Sequence, residues 1–312
     1  MTNNFTLTLI SFFLLSSCEA QVNTSPDDPY QTSHPEAFAN YWYAGEAELN
    51  RYELDQMRYG EMRKGEAVMI FVTEDFLPDD QVKKEFGDKP SVSIMKINFL
   101  KKFVTGIYDY SIMTSAFTPI EFRKLPSTLK VTFSSQDWCG QVFGQMNLRD
   151  RKLNYQTRSY FQAEGDEDLS FDATYVEDDI WNRMRLEPQT LPLGKIDMVP
   201  SMEYLRLKHK EVKAYRCEAN LFLQVNDDKS GEEFYSYQLT YPELDRKLIV
   251  NCESRFPFRV LGWKEIWNAS SSKPQVTEAR LTETLKKPYW ELNSEKEKAL
   301  RDSLGLQYRI DR

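Results

Sequence analysis

The stretch SSQDWCGQVFGQ, at positions 134–145, contains a tripeptide that resembles the start of a redox motif. Trp138-Cys139-Gly140 matches the first three residues of the thioredoxin motif Trp-Cys-Gly-Pro-Cys, but the fifth position of the motif is occupied by Val142. Dithiol exchange needs that second cysteine, so it is excluded at this site. The alternation of the stretch predicts a strand, with Trp138 and Val142 on one face and Cys139 on the other. We therefore predict that Cys139 is a packed and unreactive thiol.

A lone cysteine can still act as a nucleophile when a nearby base activates it. The chain has two histidines, and His34 lies in a polar N-terminal stretch, which leaves His209 in RLKHK as the candidate base. The papain-type signature Cys-Gly-Ser-Cys-Trp is absent, and the basic neighbours of His209 are typical of a solvated surface. A hydrolase that depends on Cys139 and His209 is thus an alternative hypothesis, with no other candidate for a catalytic residue.

The other two cysteines of the predicted body, Cys217 and Cys252, lie on strands predicted between residues 211 and 254. Counting from the turns places Cys217 opposite Tyr241 and Cys252 opposite Tyr235 on the strand between them. At about 3.3 Å per residue, these positions are roughly 20 Å apart along the strands. A disulfide allows a Cα separation of at most about 7 Å. We predict two buried free thiols that pack as small apolar side chains.

Acidic pairs invite a metal-binding interpretation, but none lies in a calcium loop of the EF-hand type. We predict instead that these pairs serve turns and helix starts, where a carboxylate accepts backbone N–H bonds. No cluster of histidine and cysteine suits zinc, and no dinucleotide-binding or phosphate-binding loop is present. We therefore expect no metal and no cofactor. The pairs are Asp27-Asp28, Asp79-Asp80, Asp178-Asp179 and Asp227-Asp228.

The elements that must position these residues are mostly strands. From Tyr41 to about residue 163 the apolar residues follow a period of two, which predicts half-buried antiparallel strands. The segment YVEDDIWNRMRLEP then predicts a single helix, since Val176, Ile180 and Met184 recur every four residues and Pro188 ends the pattern. Strands resume after it, so no strand-helix-strand alternation supports a parallel sheet.

The predicted fold class is mainly β: a large curved antiparallel meander, an open barrel or half-barrel, around one central helix, with a short C-terminal helix. This layout is similar to the lipoprotein-carrier fold, in which a half-barrel wraps a helix and leaves an apolar cavity. The stretch DIWNRMRLEPQTLPLGKIDMVPS looks like the passage from helix to strand in such domains.

The N-terminal residues indicate export. Residues 1–17 contain a short apolar region that ends in Leu15-Ser16-Ser17 before Cys18, which resembles the bacterial lipobox and predicts a lipoprotein signal peptide with lipidation of Cys18. Residue 19 is glutamate rather than the aspartate that retains many lipoproteins in the inner membrane, so we expect an outer-membrane anchor. Residues 18–40 are polar and predict a flexible tether.

The remaining boundaries follow from composition. We predict a single β-rich domain at 41–267, and a linker with a helical tail at 268–312. The run NASSSKP marks this boundary, and the tail helix is predicted to begin at Ser294 with a capping box to Glu297 and to end at Gly305.

Several segments spread along the chain together resemble a family of lipoproteins from the Bacteroidota. Members of that family often carry the name septum formation inhibitor Maf, but the Ser-x-Ser-Pro-Arg-Arg element and the α/β architecture of the Maf pyrophosphatases are missing here. The resemblance implies a lipoprotein of bacterial origin and assigns no catalytic residue. The segments are YWYAGEAELNRYELDQMRYGE, AVMIFVTEDF, KFVTGIYDYSIMTSAFTP, DWCGQVFGQMN, YLRLKHK and PYWELNS with LRDSLGL.

A formal net charge of −8 without a basic block provides no electrostatic footprint for nucleic acid, so we expect no nucleic-acid partner. We expect an outer-membrane lipoprotein, periplasmic or surface-exposed, that contacts the membrane through its lipid anchor. Its expected function is non-enzymatic binding of an apolar ligand, a lipid or an envelope partner. The alternatives are the Cys139/His209 hydrolase and a purely structural surface component.

Overall fold

The computed structural model of the protein describes residues 35–121, 128–162, 164–226 and 230–306. The predicted signal peptide at 1–17, the lipidated Cys18, His34 and the acidic pairs Asp27-Asp28 and Asp227-Asp228 lie outside these residues. Within them, no helix is long and apolar enough to cross a membrane.

Sixteen strands form one sheet. They are β1 (Ala47–Arg58), β2 (Glu61–Leu77), β3 (Val82–Lys83), β4 (Val92–Thr105), β5 (Tyr108–Pro119), β6 (Lys130–Asp137), β7 (Gly140–Arg149), β8 (Lys152–Ser159), β9 (Glu167–Asp172), β10 (Tyr175–Val176), β11 (Gly194–Val199), β12 (Tyr215–Val225), β13 (Glu233–Tyr241), β14 (Arg246–Glu253), β15 (Val260–Trp267) and β16 (Gln275–Lys287). The helices are α1 (Pro35–Trp42), α2 (Ile180–Leu186), α3 (Met202–Leu207) and α4 (Ala299–Ser303).

The strand order is 10-11-12-13-14-15-16-1-2-4-5-6-7-8-9, and β3 pairs with β2. The first and last strands of the chain are therefore neighbours, while the two edges of the sheet, β9 and β10, follow each other in sequence. The residues between them tie the edges together, because the Ala173 N–H donates to the Arg151 carbonyl at 2.9 Å and the Thr174 hydroxyl donates to the Asp197 carbonyl at 2.7 Å. The sheet curls into an open barrel in which every ordered neighbour pair except β10 with β11 is antiparallel. The predicted fold class is confirmed.

The predicted central helix is also confirmed, since every residue of α2 is buried. The Trp181 ring packs edge-on against Phe99 of β4, at 5.3 Å between ring centroids, and against Trp263 of β15, at 5.6 Å. The Asn182 side-chain amide donates to the carbonyls of Met95 and Ala116, at 3.1 and 3.0 Å. The helix thus joins the two halves of the sheet through both aromatic packing and hydrogen bonds.

Charged side chains fill much of the concave side. Arg185 pairs with Glu48, Arg183 with Asp179, and Arg246 with Glu177, and each of these residues is at most 2% exposed. A fourth buried pair joins Lys101 Nζ to Glu203 Oε2 at 2.8 Å. Burial of a charge is costly unless a partner compensates it, so these pairs fix how α2 and its flanking residues sit in the sheet.

The acidic pair Asp178-Asp179 lies at a helix start as predicted, but neither carboxylate caps α2. Asp178 Oδ2 accepts the backbone N–H of Met202 at 3.0 Å, which anchors the start of α3, and Asp179 pairs with Arg183 and accepts the Thr118 hydroxyl. Asp79-Asp80 lies in a turn as predicted.

Two boundary predictions are wrong. The predicted tether at 18–40 overlaps α1, in which Phe38 is buried against the core. The predicted linker at 268–312 contains β16, which completes the sheet between β15 and β1. Its charged residues conceal the strand, because the buried positions are small residues such as Thr277 and Ala279. The predicted bounds of the tail helix agree with the structure, because Ser294 precedes a short 3-10 turn at Glu295–Lys298 that continues into α4, and Gly305 has the positive φ of a helix end. The predicted capping bond from the Ser294 side chain is absent among the described residues.

Candidate functional site

A cavity of about 340 Å³ opens on the concave side, between β6–β9 and α3; we call it the inner cavity. Helix α2 packs mainly against β4, β5 and β15, which leaves this part of the concave face less filled. The apolar side chains that line it are Phe133, Val142, Tyr155, Leu169, Met202 and Leu205.

Strand register places these side chains on one face. Tyr155 of β8 lies opposite both Met146 and Leu169, and Phe133 of β6 lies opposite Gly144. Gly144 makes room for the tyrosine ring, because a Cβ at that position would lie 3.2 Å from the Tyr155 hydroxyl oxygen. Burial raises the pKa of Tyr155, so its phenol stays protonated and keeps a hydrogen-bond donor at the wall of the cavity.

Helix α3 forms the opposite wall. The Ser201 hydroxyl caps it by accepting the Tyr204 N–H at 3.2 Å, which is the bond that a serine N-cap provides. The helix buries Met202 and Leu205 toward the sheet and lies against β5 and β6. It ends at Lys208, and the following His209 has a φ of +50°, which turns the chain back across the cavity mouth.

The mouth carries a cluster of polar side chains, which we call the rim cluster: Glu164, Arg206 and His209. Glu164 Oε1 lies 2.8 Å from Arg206 Nη1 and 2.9 Å from His209 Nδ1. Its other carboxylate oxygen accepts the Ser159 hydroxyl at 2.7 Å. An apolar floor below an ionic mouth is the arrangement that suits an amphipathic or apolar ligand with a polar end.

The sequence-predicted candidates occupy different places. Cys139 lies in the exposed turn between β6 and β7, and its backbone N–H donates to Asp137 Oδ1 at 2.6 Å. The prediction of a packed strand residue is therefore wrong, because Trp138-Cys139 is a two-residue hairpin turn. His209 belongs to the inner cavity, and Cys139 lines a separate depression. Within the described chain, no hydrogen bond joins Cys139 to His209, so the structure does not bring them together as a pair.

The prediction of buried free thiols is confirmed for the other two cysteines. Cys252 of β14 lies opposite Tyr235 of β13. Cys217 of β12 comes one residue before Glu218, which lies opposite Thr240 at the other end of β13, so the two cysteines are far apart along the strands. Burial raises the pKa of Cys217 to about 12 and raises that of Cys252 further.

We expect iodoacetamide to modify Cys139 in the native protein and to leave Cys217 and Cys252 intact, because alkylation requires an accessible thiolate. Peptide mass mapping before and after unfolding in guanidinium measures this, and Cys139→Ser should abolish the native adduct. Native labelling of Cys217 would contradict the buried placement.

The sequence did not point to Tyr155, Leu169, Glu164 or Arg206. Alternation in KLNYQTRS could have placed Tyr155 on a strand face, but Glu164 and Arg206 are 42 residues apart and meet only because α3 folds back onto the sheet. Across the described residues, no group of three or more histidine, cysteine, aspartate or glutamate side chains is arranged to hold a metal ion.

Comparisons with known proteins add a structural similarity. No protein-family model matches the chain, and no curated protein matches it. Among solved structures, it is similar to the crystal structure of a beta-barrel-like protein of the domain of unknown function DUF1849 from Brucella abortus, with 9% identity and a TM-score of 0.46. The similarity covers 77% of this chain and 97% of that chain.

Proposed function

We propose that this protein is a non-enzymatic binding protein of the bacterial envelope, which holds an apolar ligand in the inner cavity. The observation that carries the proposal is a half-open cavity with apolar side chains from both sheet and helix, and with the rim cluster at its mouth. A purely structural component has no need for such a space beside an otherwise well-filled core.

The proposal includes the N-terminal anchor. The lipobox at Leu15-Ser16-Ser17-Cys18 and the resemblance to Bacteroidota lipoproteins support lipidation of Cys18, and glutamate rather than aspartate at position 19 supports an outer-membrane location. A lipidated chain would keep the binding domain close to a membrane, from which an apolar ligand can be taken up.

Filling the inner cavity tests the proposal. Leu169 lines it and is 37% exposed, so Leu169→Trp can place a larger ring in the space with little effect on the core. We expect the affinity for the neutral probe 1,6-diphenylhexatriene to fall about tenfold or more, because the indole would occupy the volume that the probe needs. Titration of probe fluorescence measures the affinity.

Leu223→Trp is the matched control, since Leu223 of β12 is also 37% exposed and does not line the inner cavity. It should leave probe binding unchanged. Equal binding by both variants and the parent would contradict the inner cavity as the binding site, and no binding by the parent would favour the purely structural alternative. Turnover of an ester substrate that is lost in Cys139→Ser would favour the hydrolase.

A further inference from the structure

The convex face of the sheet carries an apolar row that is unusual for a surface facing away from the core. Leu49 of β1 lies opposite Leu285 of β16 on one side and Ile70 of β2 on the other. Next to this row, Val68 of β2 lies opposite Leu100 of β4. These residues are on the opposite face of their strands from the side chains that fill the core, such as Tyr52, Met69 and Phe99.

The C-terminal segment covers part of this row. Leu304 is buried against Ala47, Leu49 and Val72, while Tyr289 and Leu306 pack beside it. The cover is incomplete and leaves a groove of about 280 Å³, the outer groove, between the sheet and the segment 289–306. Its lining is mostly aliphatic, so water in it gains few hydrogen bonds.

Cations lie at both ends of the outer groove. Lys102 of β4 lies opposite Glu66 of β2, which in turn lies opposite Glu53 of β1. Lys287 of β16 lies opposite Ala47 of β1. Six residues of β1 separate those two levels, so the lysines are about 20 Å apart along the strands at 3.3 Å per residue. That distance suits a long acyl chain.

The two ends differ in whether a carboxylate lies opposite the lysine on the neighbouring strand. Glu66 lines the groove beside Lys102 and is its cross-strand neighbour. Lys287 forms no ion pair with any residue in the described ranges. The other carboxylate of the lining, Glu297, pairs with Lys296 at 3.7 Å. The Lys287 end is thus the one that favours an anion.

We propose that the outer groove binds a long-chain fatty acid, with the acyl chain along Leu49, Val68, Leu100 and Leu285 and the carboxylate beside Lys287. A neutral apolar ligand would leave the Lys287 ammonium without a partner, and a cationic amphiphile would be repelled by it. A carboxylate forms a charge-assisted hydrogen bond there. This site is separate from the inner cavity and does not depend on it, because the two lie on opposite faces of the sheet.

The test compares hexadecanoate with 1-hexadecanol, which share a chain and differ in charge. Both are titrated by calorimetry into the full chain carrying Leu169→Trp, so that the inner cavity does not contribute. Lys287→Glu is expected to weaken hexadecanoate binding about tenfold or more, because it replaces an attractive charge with a repulsive one. Binding of 1-hexadecanol should stay within about twofold, since the chain contacts are unchanged.

Two further variants complete the design. Lys247→Glu is the matched control, because Lys247 is an exposed lysine on β14 that does not line the groove; it should change neither affinity. Val68→Trp fills the groove and should abolish binding of both ligands while the thermal unfolding transition stays cooperative. Unchanged hexadecanoate binding in Lys287→Glu, equal loss of both ligands in that variant, or no binding by the Leu169→Trp parent would overturn the proposal.

Discussion

Replacing Arg246 with alanine is expected to lower the free energy of unfolding by about 3–5 kcal/mol, the range for removing one partner of a buried ion pair. The Arg246 guanidinium donates to both oxygens of Glu177, at 2.5 and 2.7 Å, and its Nε donates to Glu265 at 2.6 Å. Without it, two carboxylates remain in the interior with no cation between them. Glu177 begins the short 3-10 turn that leads into α2, so the loss would also release the central helix from β14.

Urea unfolding followed by circular dichroism measures this change. Arg216→Ala is the matched control, because Arg216 is 66% exposed and lies 3.5 Å from Asp197 at the surface. An exposed pair contributes about 0–1 kcal/mol, so the control should remain close to the parent. A loss below about 1 kcal/mol in Arg246→Ala would contradict a structural role for the buried network.

Replacing Asp178 with asparagine is expected to stabilise the protein, and to do so increasingly as the pH rises. Burial raises the pKa of Asp178 to about 8 from its ordinary value of 3.8. Below the ordinary value both states are protonated, and the carboxyl carries no penalty. Above it the unfolded chain ionises while the folded chain holds the proton, so stability falls until the pH passes about 8.

Asparagine removes this pH dependence because it is neutral at every pH. It also retains a side-chain oxygen to accept the Met202 N–H. The stability difference between Asp178→Asn and the parent should grow by about 1.4 kcal/mol per pH unit, or about 4 kcal/mol between pH 5 and pH 8. Urea unfolding at several pH values measures it.

Asp172→Asn is the control, since Asp172 is an exposed residue of β9. Its stability should follow that of the parent across the pH range. Parallel curves for Asp178→Asn and the parent would show that Asp178 is ionised in the folded protein, and would contradict its placement as a buried neutral acid.

Local patterns predicted much of the fold. Alternating apolar residues predicted the strands, and the four-residue repeat of Val176, Ile180 and Met184 predicted one helix. Counting from the turns predicted the strand register, and with it the separation of Cys217 from Cys252. Each of these inferences depends on contacts between neighbours in sequence, which alternation and turn chemistry report directly.

The same reasoning could not predict contacts between residues that lie far apart in the sequence. Arg185 lies in the last turn of α2, where a cation is ordinarily a surface residue, but it is buried against Glu48, which lies 137 residues away. The strand β16 was missed because its position between β15 and β1 gives it two hydrogen-bonded neighbours without a strongly apolar face. The inner cavity was expected only in outline, from resemblance to a fold, because its walls come from distant parts of the chain.

The most direct test of the binding function is to extract protein purified without detergent, using organic solvent, and to identify any released lipid by mass spectrometry. We expect a stoichiometric apolar molecule from the parent and from Leu223→Trp, and its loss from Leu169→Trp, when all three carry Val68→Trp, which fills the outer groove. Repeatedly empty extracts from the parent, or the same yield from Leu169→Trp, would contradict ligand binding in the inner cavity.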